Sequence, residues 1–346
     1  LLNLPCGLNL REYYNSPTKV SRFQDHKCIK MKILITGING FVGTNFTNSW
    51  FKNHKIVGLD IHQPEKEGVE RIFGWDELGK VPPVDAIVHL AGKVHDTKNT
   101  SEAQVYFDVN TGLTQRIFDY FLQSDARTFI FFSSVKAAVD SVPGDVLTED
   151  VVPSPVGPYG ESKIRAEEYI LNKWSVVSSQ LSEKKVYILR PCMIHGPGNK
   201  GNLNLLSSVV KKGIPWPLGV YENRRSFCSI DNISYVVEQL IVKENIESGI
   251  YHVGDDEPLS TNDLIRLISE SLGKKSHIWQ LPKVFMNAAA VIGGTLKLPL
   301  NKERLRKLTE NYVVSNDKIK KALGIEKMPV TARDGMMKTL SSFNKE

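Results

Sequence analysis

The chain has 346 residues, 41% of them hydrophobic and 24% charged, with a formal net charge of +6 and a pI of about 8.9. These are ordinary globular values, enough for one large domain or two of common size. The basic excess is spread along the chain with no Lys/Arg block interleaved with aromatics, so no nucleic-acid surface is expected.

Residues 1–30 lack a clear period and are expected to lie outside the fold. "MKILITG" (Met31–Gly37) is a short apolar run closed by glycine, as a buried parallel strand would be. "FVGTNFTNSWFKN" has the spacing of a helix, with Phe41, Val42, Phe46 and Trp50 on one side. "KIVGLD" (Lys55–Asp60) is a second strand and "DAIVHLAG" (Asp85–Gly92) a third. A helix is predicted through Val105, Val109, Leu113 and Ile117. "TFIFFSS" (Thr128–Ser134) and "KVYILRP" (Lys185–Pro191) are strand-like, with a helix after "PYGESK" between them. Strands alternating with helices predict an α/β fold, a Rossmann-type doubly wound parallel sheet. After Pro191 the pattern loosens into a smaller, interleaved substrate-binding region. The expected division is 31–191 for the NAD-binding domain, with a returning segment near 228–255, and 192–346 mainly for substrate. "SGIYHVGDDEPLS" (Ser248–Ser260) reads as a strand returning to the main sheet.

The cysteines are Cys6, Cys28, Cys192 and Cys228. None forms a C-x-x-C pair or has histidines at zinc spacing, so no metal site is expected and free thiols in a reducing cytoplasm are. No uninterrupted apolar run spans a bilayer. The nearest, Val284–Leu300, is broken by Asn287, Gly293, Gly294 and Lys297. It is read as a buried helix and turn, with a membrane-contacting lip as the alternative.

Two constellations carry chemistry. "TGINGFVG" puts Gly37, Gly40 and Gly43 at a strand-to-helix turn, where backbone can approach a pyrophosphate lying on the helix N-terminus. Asp60 closes the next strand, placed to accept from ribose hydroxyls and repel a 2′-phosphate, which favours NAD over NADP. Plain turn chemistry is the competing reading for all four. Tyr159 and Lys163, at i and i+4, share one helix face; an ordinary solvated face has the same spacing.

These residues, with "HLAG" at His89–Gly92, "SS" at Ser133–Ser134, "LRP…GPG" at Leu189–Gly198 and "RRSF" at Arg224–Phe227, come in the order of a known pattern. From about Met31 onward the chain resembles the extended short-chain dehydrogenase/reductase family, the NAD-dependent sugar-nucleotide epimerase/dehydratase group. The resemblance implies Ser134, Tyr159 and Lys163 as the catalytic set. It implies NAD held by Gly37, Asn39, Gly40, Phe41, Val42, Gly43, Asp60, Leu90, Ala91, Gly92, Tyr159, Lys163 and Pro191. It implies a nucleotide-sugar substrate met by Ser134, Asn202 and Arg225, with Arg224 competing for the diphosphate and "PWPLG" (Pro215–Gly219) over the base. It also implies a homodimer formed through long helices. Here Ile164, Ile170, Leu171 and Trp174 make an apolar stripe that would equally suit a core-facing helix.

A free tyrosine titrates near 10, so a phenolate near neutrality needs up to ~3 units, roughly 4 kcal/mol, of stabilisation. Lys163 and the nicotinamide ring would supply much of it. Ser134 is followed by Val135 and Lys136 rather than the Asp-Glu pair of the 4,6-dehydratases, so dehydration is set aside. C4 epimerisation through a 4-keto intermediate is the expected reaction. Reduction of a 4-keto-6-deoxy sugar nucleotide is the alternative, favoured by the "SSVKAAVD" loop. A non-catalytic nucleotide-responsive regulator is a third reading, opposed by the retained Tyr/Lys pair.

Overall fold

A computed structural model describes residues 30–94, 102–199, 201–295 and 301–343. Nine strands occur among them: β1 (Lys32–Thr36), β2 (Lys55–Leu59), β3 (Val69–Phe73), β4 (Ala86–His89), β5 (Thr128–Phe132), β6 (Lys185–Pro191), β7 (Met193–His195), β8 (Phe227–Ser229) and β9 (Gly249–Val253). Seven form one sheet in the order β3-β2-β1-β4-β5-β6-β9, and β7 pairs with β8. The β1–β2, β1–β4, β2–β3 and β4–β5 pairings are all parallel. Every residue of β5 is buried, and so are four of five in β1, which is why both read as unbroken apolar runs: helices cover both faces of such a sheet. The chain steps outward from β1 to β3, then restarts on the other side of β1 with β4. That reversal places a crevice at the carboxyl ends of β1 and β4.

The residues group into two compact units. Among the described residues, the first comprises those up to Ser133, Gly157–Ile188 and Val237–Gly249; the second comprises Ser134–Val156, Leu189–Val236 and those from Ile250 on.

In the first unit, helix Phe41–Trp50 buries Phe46 and Trp50, whose rings stack at 4.4 Å between centroids. Strand β3 was not legible in the sequence. It holds only Ile72 and Phe73 inward, while its Glu70 faces Lys32 at 3.0 Å and Lys55 at 3.9 Å. The helix predicted through Val105 and Ile117 is interrupted. Helix Ala103–Tyr106 runs through a π turn, Phe107–Gly112, into helix Leu113–Gln123. The extra residue of a π turn rotates the buried face, and here it carries the polar Asn110 fully inside.

In the second unit, a core of Leu203, Trp216, Leu218, Phe227, Leu264, Ile268 and Met336 lies among helices. Helix Thr261–Ser271 starts at a capping box in which Ser260 and Asp263 satisfy each other's backbone N–H groups. His195 Nδ1 pairs with Thr339 Oγ1 at 2.8 Å, and Asp255 takes bonds from the Ser229 N–H at 2.9 Å and Asn232 Nδ2 at 2.7 Å. These buried groups hold strands and helices together and show no opening to a ligand. The segment read as a buried helix and turn is a helix, Lys283–Thr295, but from 281 to 291 only Met286 and Ala290 are buried. The rest of that expectation, 296–300, lies outside the described residues.

Candidate active site

Gly37 follows β1 with φ +68°, a conformation that costs a residue with a side chain about 1–2 kcal/mol. A Cβ there would also sit 2.8 Å from the Ala91 backbone, and one on Gly43 would sit 2.7 Å from the Gly37 carbonyl oxygen. Gly40 caps helix Phe41–Trp50 in an extended conformation, so Phe41 and Val42 form the first turn and the positive helix end opens on the loop. Asn39 sits within the loop: its N–H donates to Asp60 Oδ2 at 3.1 Å and its amide donates to the His62 carbonyl at 2.9 Å. The His62 N–H reaches Asp60 Oδ1 at 3.3 Å. A carboxylate has about four acceptor positions, so two backbone bonds leave Asp60 able to take hydroxyls as well. Lys66 was missed by sequence reading. Its ammonium donates to the Ile38 carbonyl at 2.6 Å and Thr44 Oγ1 at 3.0 Å, bracing the loop, and its partial burial lowers its pKa against the opposing pull of Asp60.

Behind the loop is a chain of buried hydrogen bonds. The Ala91 N–H donates to Thr36 Oγ1 at 3.0 Å, and Thr36 Oγ1 meets His89 Nδ1 at 2.7 Å. His89 Nε2 meets Thr114 Oγ1 at 2.9 Å, and that hydroxyl donates to the Asn110 carbonyl at 2.6 Å. Every group is satisfied if the imidazole is neutral with its proton on Nε2. Burial, with Lys163 nearby, holds the His89 pKa well below its ordinary value and so keeps it neutral. His89 thus sets the path of Leu90, Ala91 and Gly92 rather than facing a ligand. The motif "HLAG" gave no sign of this division of labour.

Helix Gly157–Val177 carries Tyr159 and Lys163. Its buried positions are Gly160, Ser162, Lys163, Ala166, Glu167 and Ile170, while Leu171 of the expected apolar stripe is exposed. Tyr159 is half-buried, its ring edge-to-face with Tyr106 at 6.5 Å. The Lys163 ammonium donates to the Phe132 carbonyl at 2.8 Å and lies 4.9 Å from the centroid of the Phe131 ring. A Cβ on Gly92 would come 3.2 Å from Lys163 Nζ and 2.9 Å from Asn110 Oδ1, so glycine keeps open the space at the amine. Burial brings the Lys163 pKa down to about 8, with Glu167 opposing. Glu167 accepts a short hydrogen bond from the Ser133 hydroxyl. Asn110 ties the set together: its amide donates to Ser162 Oγ at 2.9 Å and the Lys93 carbonyl at 3.1 Å, and Oδ1 accepts the Lys93 N–H at 2.7 Å. Asn110 lies in the π turn, which the sequence analysis read as plain helix.

In the second unit, Ser134 caps the short helix Val135–Ala138, accepting from the Lys136 N–H at 3.1 Å. That bond uses the oxygen as acceptor and leaves the hydroxyl proton for a donor role. Pro191 ends β6, and Asn202 opens helix Asn202–Lys211, its side chain lying outside the described residues. Arg225 is pinned by backbone bonds to Leu259 at 3.0 and 2.9 Å, and its guanidinium donates to the Lys307 carbonyl. A separate cavity of about 450 Å³ is lined by Tyr221, Val291, Lys302, Arg306 and Thr309 among others. Arg306 there is held by Asp140 at 3.4 Å, and Asp140 also takes Lys136 at 3.0 Å. This cavity presents Lys302 and Arg306, two cations the sequence analysis did not single out.

A parallel sheet with a β1/β4 switch point, a glycine turn on a helix N-terminus and an acid closing β2 define a dinucleotide-binding enzyme of the Rossmann class. The sheet, the three tight glycines and the carboxylate fit a dinucleotide. The family described as the NAD dependent epimerase/dehydratase family matches residues 33–254, and the chain belongs to it, with NAD as its cofactor. The UDP-glucose 4-epimerase of Vibrio cholerae is 30% identical over 324 residues, covering 90% of this chain and 95% of that protein. The N-acetyl-alpha-D-glucosaminyl-diphospho-ditrans,octacis-undecaprenol 4-epimerase of Escherichia coli O157:H7 is 28% identical over 297 residues, 84% of each. Among solved structures, MoeE5 in complex with UDP-glucuronic acid and NAD superposes with a TM-score of 0.70 at 18% identity, covering 91% of this chain and 99% of that one, a likeness of fold.

Proposed function

We propose that this protein is a sugar 4-epimerase acting on a UDP-hexose or UDP-N-acetylhexosamine, with Tyr159 as acid and base. The observation that carries the reading is the state of Lys163. It is an ammonium inside the fold with its pKa drawn down to about 8, one helical turn from a tyrosine. A desolvated cation favours an anion beside it, so Lys163 and a Tyr159 phenolate each stabilise the other's charged form.

In this reading Gly37, Asn39, Gly40, Phe41, Val42 and Gly43 carry the pyrophosphate of NAD. Asp60 takes the adenosine ribose hydroxyls, and Leu90, Ala91, Gly92 and Pro191 border the rest. When bound, NAD supplies the acceptor and then the donor of the hydride at sugar C4. Tyr159 Oη takes the proton of the C4 hydroxyl and returns it after the 4-keto sugar has turned over. Ser134 donates its hydroxyl proton toward the C4 oxygen and orients it. Lys163 holds the phenolate. Lys302 and Arg306 offer the cationic wall for the substrate diphosphate; Arg225, bound to the Lys307 carbonyl, supports the helix that carries both, and Asn202 is a further candidate substrate contact.

The test is to release and identify the cofactor retained on purification, then to incubate the enzyme with UDP-glucose, UDP-N-acetylglucosamine and N-acetylglucosaminyl-diphospho-undecaprenol. Retained NAD with interconversion of C4 epimers and no net NADH use is expected. Stoichiometric oxidation of added NADH or NADPH by a 4-keto sugar nucleotide would instead make it a ketoreductase.

A further inference from the structure

Two successive residues at the end of β5 are tied to two successive turns of one helix, in opposite senses. The Phe132 carbonyl accepts from the Lys163 ammonium at 2.8 Å, and the Ser133 hydroxyl donates to the Glu167 carboxylate. Lys163 and Glu167 stand at i and i+4 of helix Gly157–Val177, neighbours on one face with about 5–6 Å between Cβ atoms. All three polar side chains are inside: Lys163 is 6% exposed, Ser133 5% and Glu167 0%. A hydroxyl donor offsets only part of the hydration a buried carboxylate loses, and a carbonyl only part of what an ammonium loses, so each charge lowers the cost of the other. The other groups facing the amine, among the described residues, are uncharged while Tyr159 is a phenol. From β4 comes His89, held neutral by burial beside Lys163. From the π turn comes the Asn110 amide, which borders the same space at Gly92.

We propose that Glu167 is a positioning residue that acts through Lys163 and Ser133. Its charge keeps the buried amine an ammonium, and its bond to Ser133 fixes the strand end whose carbonyl holds that amine. The inference rests on Tyr159 and Lys163 being the reactive pair. A charged Lys163 stabilises the Tyr159 phenolate, and a neutral one does not. Glu167 therefore sets the pH above which the pair fails.

The experiment is a mutant cycle of Glu167→Gln, Lys163→Met and the double variant, read by urea titration of the NAD-free full chain at neutral pH. Each single change leaves one buried charge without its counter-charge, and the double change leaves neither. The expected result is a double variant at least as stable as either single one. Additive losses overturn the proposal, as does a double variant that fails to fold where Lys163→Met folds. This cycle needs no turnover, so its failure is distinct from failure of the epimerase reading. The second readout is the pH profile of kcat with UDP-glucose. Glu167→Gln keeps an acceptor for the Ser133 hydroxyl but lets Lys163 give up its proton sooner. The alkaline limb should move to lower pH, with a loss of about tenfold or more in kcat on that side and KM and NAD affinity nearly unchanged. Ser133→Ala, which keeps the charge, should lower the melting temperature and leave the limb in place. Glu167→Asp, a carboxylate on a shorter arm, should hold the limb near its wild-type position. Superposable wild-type and Glu167→Gln profiles, or a limb equally displaced in Glu167→Asp and Glu167→Gln, overturn the proposal.

Discussion

The ammonium of Lys163 and the carbonyl oxygen of Phe132 meet at 2.8 Å, with the amine wholly inside the fold. A neutral carbonyl offsets only part of the lost hydration, so the charged form is disfavoured and the pKa falls from 10.5 to about 8. The consequence has a definite sign. Between about 8 and 10.5 the unfolded chain keeps a proton that the native chain has released. Stability therefore rises with pH across that window, is fully gained above it and is lost as pH falls through the native pKa. The size is on the order of 3 kcal/mol. Urea titrations of NAD-free protein should show wild type gaining on Lys163→Met as pH is raised across the window. Parallel curves would mean that Lys163 titrates as an ordinary lysine.

Tyr159→Phe removes one oxygen and keeps the ring against Tyr106. Turnover should fall by about 10²–10⁴-fold with NAD affinity and melting temperature nearly unchanged. Survival of turnover would place the acid and base elsewhere.

Gly37→Ala combines the left-handed backbone of Gly37 with a Cβ 2.8 Å from the Ala91 backbone. Neither neighbour is a flexible side-chain end, so the loop must shift. The expected outcome is a loss of about 1–3 kcal/mol in stability and a larger loss of NAD affinity, read by thermal shift with and without NAD. Gly79→Ala is the control, since nothing lies within 4 Å of a Cβ there.

Asp60→Ser should raise the dissociation constant for NAD by about tenfold and narrow or reverse the preference over NADP, because the carboxylate that repels a 2′-phosphate is gone. Fluorescence titration with both cofactors measures the ratio. An unchanged ratio would leave Asp60 as a turn acid for Asn39 and His62.

Arg306→Met and Arg225→Met separate substrate binding from support. The first opens a cationic wall of the cavity and should raise the KM for the nucleotide sugar about 10-fold or more with little change in kcat. The second removes a bond to the Lys307 carbonyl and should first lower the melting temperature. Reversed effects would return the diphosphate to Arg225.

Much of the architecture was legible because parallel strands covered on both faces must be apolar, so "KILIT", "AIVH" and "TFIFF" announce themselves. Strand β3 did not, since at the sheet edge its Glu70 pairs with Lys32 and Lys55 and its Arg71 with Glu77. The glycine turn, Asp60, and the i to i+4 pairing of Tyr159 and Lys163 were legible because each is a local requirement of backbone or helix geometry. Asn110, Glu167, Lys66 and the cationic lining at Lys302 and Arg306 were not. Each matters through a partner tens of residues away: Asn110 through Ser162, Glu167 through Ser133, Lys66 through Ile38, Arg306 through Asp140.

The sequence by itself determined the apolar parallel strands other than β3, the turn that only glycine can make, and the tyrosine and lysine on one helix face, all set by neighbours within a few residues. Tertiary structure decided the rest. It buried Lys163 and moved its pKa, fixed His89 as a neutral brace, and turned Asn110 inward through a π turn. It also left Val284 and Phe285 exposed on a helix that composition alone would bury, because burial and charge state depend on what the distant chain packs around each group.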